Sequence, residues 1–200
     1  MSETTQGAEY KTIYDWLDIV RKRPGMYFQN LSGLHTLVNG YYSALSMHNI
    51  HENVPSMVNN HFGYWLRKKE GWSMALGWGR AIEINVEGEE QQTERFFAYV
   101  DKYRKLVSVR LSSVVLDERH NPTGKKVVIG FDGRIEKPDR IDVMQYQPEA
   151  LHFLRFHYGE RIIDRTLLSD TRDTTLEEAK LWVREEFQVQ EDEWTNCETV

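Results

Sequence analysis

His48 and His51 stand three residues apart and His61 follows ten residues later, the opening of a metal-ligand spacing that no cysteine, aspartate or second tight pair completes. Ring polarity in a loop is the plainer role for these histidines. His152 and His157 fall in one strand-like stretch at an odd separation, which puts them on opposite faces and prevents a joint grip on an ion. Nucleophilic chemistry needs a Ser, Cys or Thr beside a base. The sequence holds no Gly-x-Ser-x-Gly, no phosphate-binding loop and no His-Glu-x-x-His, and its one cysteine, Cys197, has no partner for a disulfide. The carboxylate pairs Glu185-Glu186 and Asp192-Glu193 belong to an acidic segment rather than to an apolar pocket that would push their pKa values apart. The residues therefore predict no catalytic group, no metal site and no cofactor.

Charge is unevenly spread. Residues 1–105 carry 12 acidic and 12 basic side chains, residues 106–200 carry 19 and 13, so the net −6 belongs wholly to the second half. From Asp170 onward the count is 10 acidic against 3 basic. Such an end repels nucleic acid and attracts basic surfaces. Its commoner meaning is a solvated face, and its functional meaning is a contact surface of Glu185, Glu186, Glu191, Asp192 and Glu193 with Trp194 as an aromatic anchor. No apolar run approaches eighteen residues and the first ten are polar, so the expected setting is the cytoplasm, away from membranes.

Two elements flank the most distinctive passage, Arg23-Pro24-Gly25-Met26-Tyr27. Before it, Ile13, Trp16, Leu17 and Val20 recur at helical spacing, and Pro24 ends that helix. After it, Ser32 is placed to cap a second helix with the stripe Leu34, Leu37, Val38, Tyr41 and Leu45. The passage reads as a rigid corner with Met26, Tyr27 and Phe28 plugging the core. A third helix carries Val58, Phe62, Trp65 and Leu66 and ends in Arg67-Lys68-Lys69 before Gly71, where cations suit the dipole. Trp72 to Asn85 reads as a glycine-rich loop leading to an apolar run, and Glu89 to Tyr103 as a fourth helix. Trp65, Trp72 and Trp78 could form a recognition platform, but packing between helices is the simpler role.

The period changes near residue 106. Val107, Val109 and Leu111 alternate with polar residues, Lys125 to Phe131 and Arg140 to Tyr146 read as further strands, and Tyr158-Gly159-Glu160 joins a hairpin. Thr174 and Glu177 have capping-box spacing before a helix with Leu176, Ala179, Val183 and Phe187 as its buried stripe. The expectation is an α+β protein: a mainly helical region, 1–105, then an antiparallel sheet backed by a C-terminal helix, 106–200, which can pack as one domain. The hairpin and last helix resemble an end-module of small bacterial proteins, which implies a scaffold and no activity.

Residues Leu17 to Tyr27 with Gly33-Leu34-His35-Thr36-Leu37-Val38 resemble the start of the ATPase domain of type II topoisomerase B subunits. In that family the second helix supplies a glutamate that activates water and an asparagine that holds magnesium, whereas the aligned positions here are Gly40 and Ala44. The glycine-rich ATP lid is missing, and Phe131-Asp132-Gly133-Arg134-Ile135 is only superficially similar to the family's Asp-x-Gly-x-Gly. Losing both the metal holder and the water-positioning group argues against phosphoryl chemistry. A longer resemblance runs through Trp16-Leu17, Arg23 to Tyr27, Gly40-Tyr41, Phe62 to Leu66, Gly77-Trp78, Phe96-Phe97 and Tyr103-Arg104. It is to small bacterial cytosolic proteins, some of which resemble immunity partners of secreted toxins. That resemblance implies a binding protein rather than an enzyme, and together with the acidic C-terminal segment it gives the expectation of an immunity protein that covers a basic toxin domain. The alternatives are a degenerate nucleotide-binding (GHKL-like) module or gyrase-interacting protein without ATPase activity, and a purely structural subunit.

Overall fold

The computed structural model describes residues 11–126, 136–167 and 174–197. The chain is α+β, a mostly helical N-terminal half followed by a five-stranded antiparallel sheet with a C-terminal helix. It divides into two compact units, Met1–Ala44 with Ser56–Arg104, and Leu45–Pro55 with Lys105–Val200.

The first unit contains α1 (Ile13–Lys22), most of α2 (Leu31–Met47), α3 (Tyr64–Glu70), α4 (Gly77–Asn85) and α5 (Glu89–Tyr103). Its core is aromatic. Trp78 stacks on Phe96 at 4.9 Å, Phe62 stacks on Trp65 at 5.7 Å and meets Trp78 edge-on, and Tyr103 donates its hydroxyl to Ser56 O at 2.9 Å. Trp65 and Trp78 are buried, and the half-buried Trp72 meets Tyr99 edge-on, so these tryptophans form no exposed platform.

Two expectations for this unit are corrected. The α2 cap is Asn30, whose Oδ1 accepts from Gly33 N at 2.8 Å. Ser32 lies inside the first turn, where Glu83 of α4 accepts from its N at 2.7 Å and its hydroxyl at 2.8 Å. Burial pushes the Glu83 carboxyl up, but those bonds and Arg80 outweigh it and hold the group below the usual glutamate range. Of the stretch read as a glycine-rich loop and apolar run, Trp72 to Leu76 is irregular and Gly77–Asn85 is the helix α4. Helix-poor glycines are tolerated there because Gly79 lets the two backbones touch: a Cβ would sit 2.3 Å from Leu31 O.

His35 gives this unit a pH dependence. Its ring lies edge-on to Trp78 at 5.0 Å, and Asn39 Nδ2, which can only donate, lies 3.2 Å from Nε2, which must therefore accept in the neutral ring. Burial lowers its pKa from 6.5. Because the unfolded chain then protonates first, its contribution is complete above about pH 6.5 and is lost as pH falls through and below that value. The melting temperature should drop between about pH 7.5 and pH 5.5, and His35→Gln should reduce the drop; an equal drop in the variant would assign it to other groups.

The second unit contains β1 (Val107–Val115), β2 (Arg140–Gln147), β3 (Leu151–Tyr158), β4 (Arg161–Thr166), α6 (Leu176–Phe187) and β5 (Thr195–Asn196). The sheet order is β4-β3-β2-β1-β5. Ala179, Val183 and Phe187 of α6 pack with Val114, Ile141, Val143, Leu154 and Phe156 on one sheet face. The hairpin turn falls at Gly159, whose φ of 59° suits a residue without a Cβ. The capping box lies one residue later than expected, at Thr175 and Glu178, because Thr174 is buried and donates to Leu167 O at 2.5 Å. In β1 the expected inward set fails as well. Val107 is 61% exposed at the start of the strand, and beyond a register shift between Arg110 and Ser112 the facing residues change parity, with Ser112, Ser113 and Val114 all buried. The strand expected over Lys125 to Phe131 lies outside the described residues beyond Lys126, as does Phe131 to Ile135.

Candidate functional site

The acidic end is divided: Glu185, Glu191 and Asp192 are exposed, whereas Glu186 and Trp194 are buried and Glu193 is half-buried. Glu186 has no accessible surface: it lies on the buried side of α6, and its carboxylate accepts from Thr123 Oγ1 at 2.9 Å, Gly124 N at 2.8 Å and Lys126 N at 2.8 Å. Trp194 is interior too, 9% exposed within the core of the second unit, with Lys180 Nζ 5.6 Å from its ring centre. Glu185 pairs with Lys126, and Glu191 with Arg184. Glu193 accepts from Gln190 N at 2.7 Å and meets His120 and Arg119 at 3.1 and 2.8 Å, partners that together hold it below the usual carboxylate range. Of the six residues, Asp192 is the exposed carboxylate with no partner among the described residues. Linear reading missed most of these partners because Arg119, His120 and Lys126 come from a distant loop, Arg184 being the local one. One signal was available: Glu186 completes the spacing of Ala179, Val183 and Phe187 on the buried stripe.

The sheet face away from α6 holds a polar cluster that sequence reading did not assemble. Asp142 is 3% exposed, and its two oxygens accept from Ser113 Oγ at 2.6 Å and His157 Nε2 at 2.8 Å. Arg140 lies 3.2 Å away, while Arg155 grips Asp164 with two bonds of 2.7 and 2.8 Å. The types match a Ser-His-Asp set but the order does not. The aspartate stands between the other two, so the imidazole takes no proton from the hydroxyl and no nucleophile is activated. The arrangement satisfies a buried carboxylate. Among the described residues, no group of three or more His, Cys, Asp or Glu is placed to hold a metal ion, and no helix is long and apolar enough to cross a membrane.

The Arg-Pro-Gly corner carries the third constellation, entirely within the first unit. Pro24–Met26 is a single 3-10 turn closed by Tyr27 N to Pro24 O at 2.9 Å. The corner does not plug the core. Met26 is 71% and Tyr27 38% exposed, and Phe28 is half-buried, because the turn redirects the chain after Val20 and aims these side chains outward. Beside it runs an open groove of about 650 Å³ between the corner and α5, with Pro24, Phe28, Phe97 and Ala98 among its apolar lining. Arg21 donates to Phe97 O at 2.9 Å, pairs with Asp101 at 2.9 Å and lies over the Phe97 ring at 4.6 Å. Glu89, Glu90 and Glu94 also line the groove; all are exposed, and none makes an ion pair among the described residues. Gly40 and Ala44 lie elsewhere, on an exposed side of α2.

No family model matches the chain, and neither a curated protein nor a solved structure matches it.

Proposed function

We propose that the protein acts by binding, and that it neutralises a protein partner carrying a basic surface, as an immunity protein neutralises a secreted bacterial toxin inside the cytoplasm. The observation that supports this reading is the placement of unbalanced charge. Glu87, Glu89, Glu90 and Glu94 are exposed within eight residues and find no cation among the described residues, whereas the C-terminal carboxylates are mostly paired inside their own unit. Unpaired surface charge steers association and excludes partners of like sign.

The reading is tested by co-expressing the chain with the product of the adjacent open reading frame and by measuring association kinetics at two salt concentrations. Survival of cells that the neighbour alone would kill, with association slowed by salt, is the expected result. Death in both cases, or an association rate indifferent to salt, would remove it. Tyr27 supplies a companion measurement. Its exposure limits the stability loss of Tyr27→Ala to about 1 kcal/mol, well below the roughly 3 kcal/mol of a buried aromatic, while partner binding should weaken. A melting temperature that collapses in this variant would return the corner to a core role.

A further inference from the structure

Resting on the reading just given, we infer that the groove between the Pro24-Gly25 corner and α5 is where the partner docks, and that its occupant is an extended basic segment with Arg or Lys side chains. Three features of the groove select that chemistry. Glu90, Glu94 and Ala98 follow one another at intervals of four, as do Glu89, Thr93, Phe97 and Asp101, so one face of α5 presents acids over an apolar base. The lining is mixed in the way that a long cationic side chain requires: Phe28, Phe97 and Pro24 can cover a hydrocarbon stem, while the carboxylates at the rim meet its charged head. The chain also already holds one guanidinium in this manner. Arg21 is stacked on Phe97, paired with Asp101 and bonded to a backbone carbonyl, and these are the contacts a partner's arginine would repeat against Phe28 with Glu90 and Glu94.

Acidic occupants are excluded by the same charges, and nucleic acid with them. An uncharged apolar segment would leave three carboxylates without compensation. Exposed Met26 and Tyr27 stand at the corner as further apolar contacts for a segment that runs past it.

The test uses the intact chain and a fluorescein-labelled octa-arginine peptide, with octa-citrulline as its uncharged twin, followed by anisotropy. Binding of octa-arginine and not of octa-citrulline is expected. Glu90→Gln combined with Glu94→Gln should weaken it about tenfold, and Ala98→Trp, which fills the groove without altering charge, should weaken it comparably. Both changes fall on exposed positions, so an unchanged melting temperature is the check on folding. A control combining Glu185→Gln, Glu191→Gln and Asp192→Asn should stay within about twofold of the parent. The inference is overturned by a parent that ignores octa-arginine, by indifference to both groove variants, or by a loss confined to the C-terminal control. The two failures are separable. A natural partner still bound by the Glu90/Glu94 variant would refute the groove and leave the neutralising role standing, whereas a chain that protects against nothing would refute the role whatever the peptide does.

Discussion

Glu186→Ala should destabilise the second unit by about 3 kcal/mol or more, a larger loss than any other single carboxylate change near the C-terminus produces. Removing the carboxylate leaves Thr123 Oγ1 and the amides of Gly124 and Lys126 without their acceptor in a place where the parent side chain has no accessible surface. It also leaves a void beside Phe187 on the packed side of α6. Neighbouring Glu185 and Glu191 meet their cations at the surface, where such pairs contribute little, so their alanine variants should unfold near the parent midpoint. Urea unfolding of the three variants reads the contrast, and hydrogen exchange at Gly124 and Lys126 localises it. If Glu186→Ala unfolds with the other two, the loop around Thr123 is not held by that side chain.

Gly79→Ala carries the second large effect. The added Cβ would lie 2.3 Å from Leu31 O and 2.7 Å from Leu31 C, backbone atoms that no rotamer change can move. α4 must then back away from α2 and stretch the two Ser32–Glu83 bonds, and overpacking of this kind costs about 3 kcal/mol. Gly40→Ala is the counterpart within α2: nothing lies within 4 Å of its Cβ, so replacing a mid-helix glycine should stabilise by about 0.5–1 kcal/mol. Thermal melts of the two variants should move in opposite directions. A Gly79→Ala protein that melts with the parent would contradict the close approach of the two helices.

Elements governed by local chemistry were legible in the sequence. α5 runs over the stretch that its Phe96, Phe97, Val100 and Tyr103 spacing predicts, and Gly159 turns the expected hairpin. Elements governed by distant neighbours were not. α4 has two glycines in its first turn, and only neighbours far away in sequence explain them: a Cβ on Gly79 would strike the backbone of Leu31, and one on Gly77, whose φ is 83°, would strike the His35 ring. The irregularity near Leu111 turns over the inward and outward sides of β1, and no residue around it announces the change. The candidate site divides along the same line. The corner was found, because Pro and Gly punctuate any sequence, but whether Met26 and Tyr27 face in or out depends on the direction in which the turn sends the chain. The acidic end is legible as composition, but which of its residues are buried is not, because composition cannot say that Glu186 meets the amides of a loop some sixty residues upstream while its neighbour Glu185 meets a lysine of that loop at the surface.

The way the sheet is finished bears on how newly made chains behave. β1 is covered on its outer side by β5 across Ser112 and Ser113, and 84 residues separate Ser112 from Asn196. A ribosome must make that whole interval before the edge can be closed, and Val107 and Val115 at the two ends of β1 are exposed even afterwards. Among the described strands the opposite edge is β4, which carries Arg161, Asp164 and Arg165, charged residues that discourage a neighbouring strand. Nascent chains are therefore exposed to edge-to-edge association through β1 rather than β4, and that hazard ends when Thr195 and Asn196 take their places.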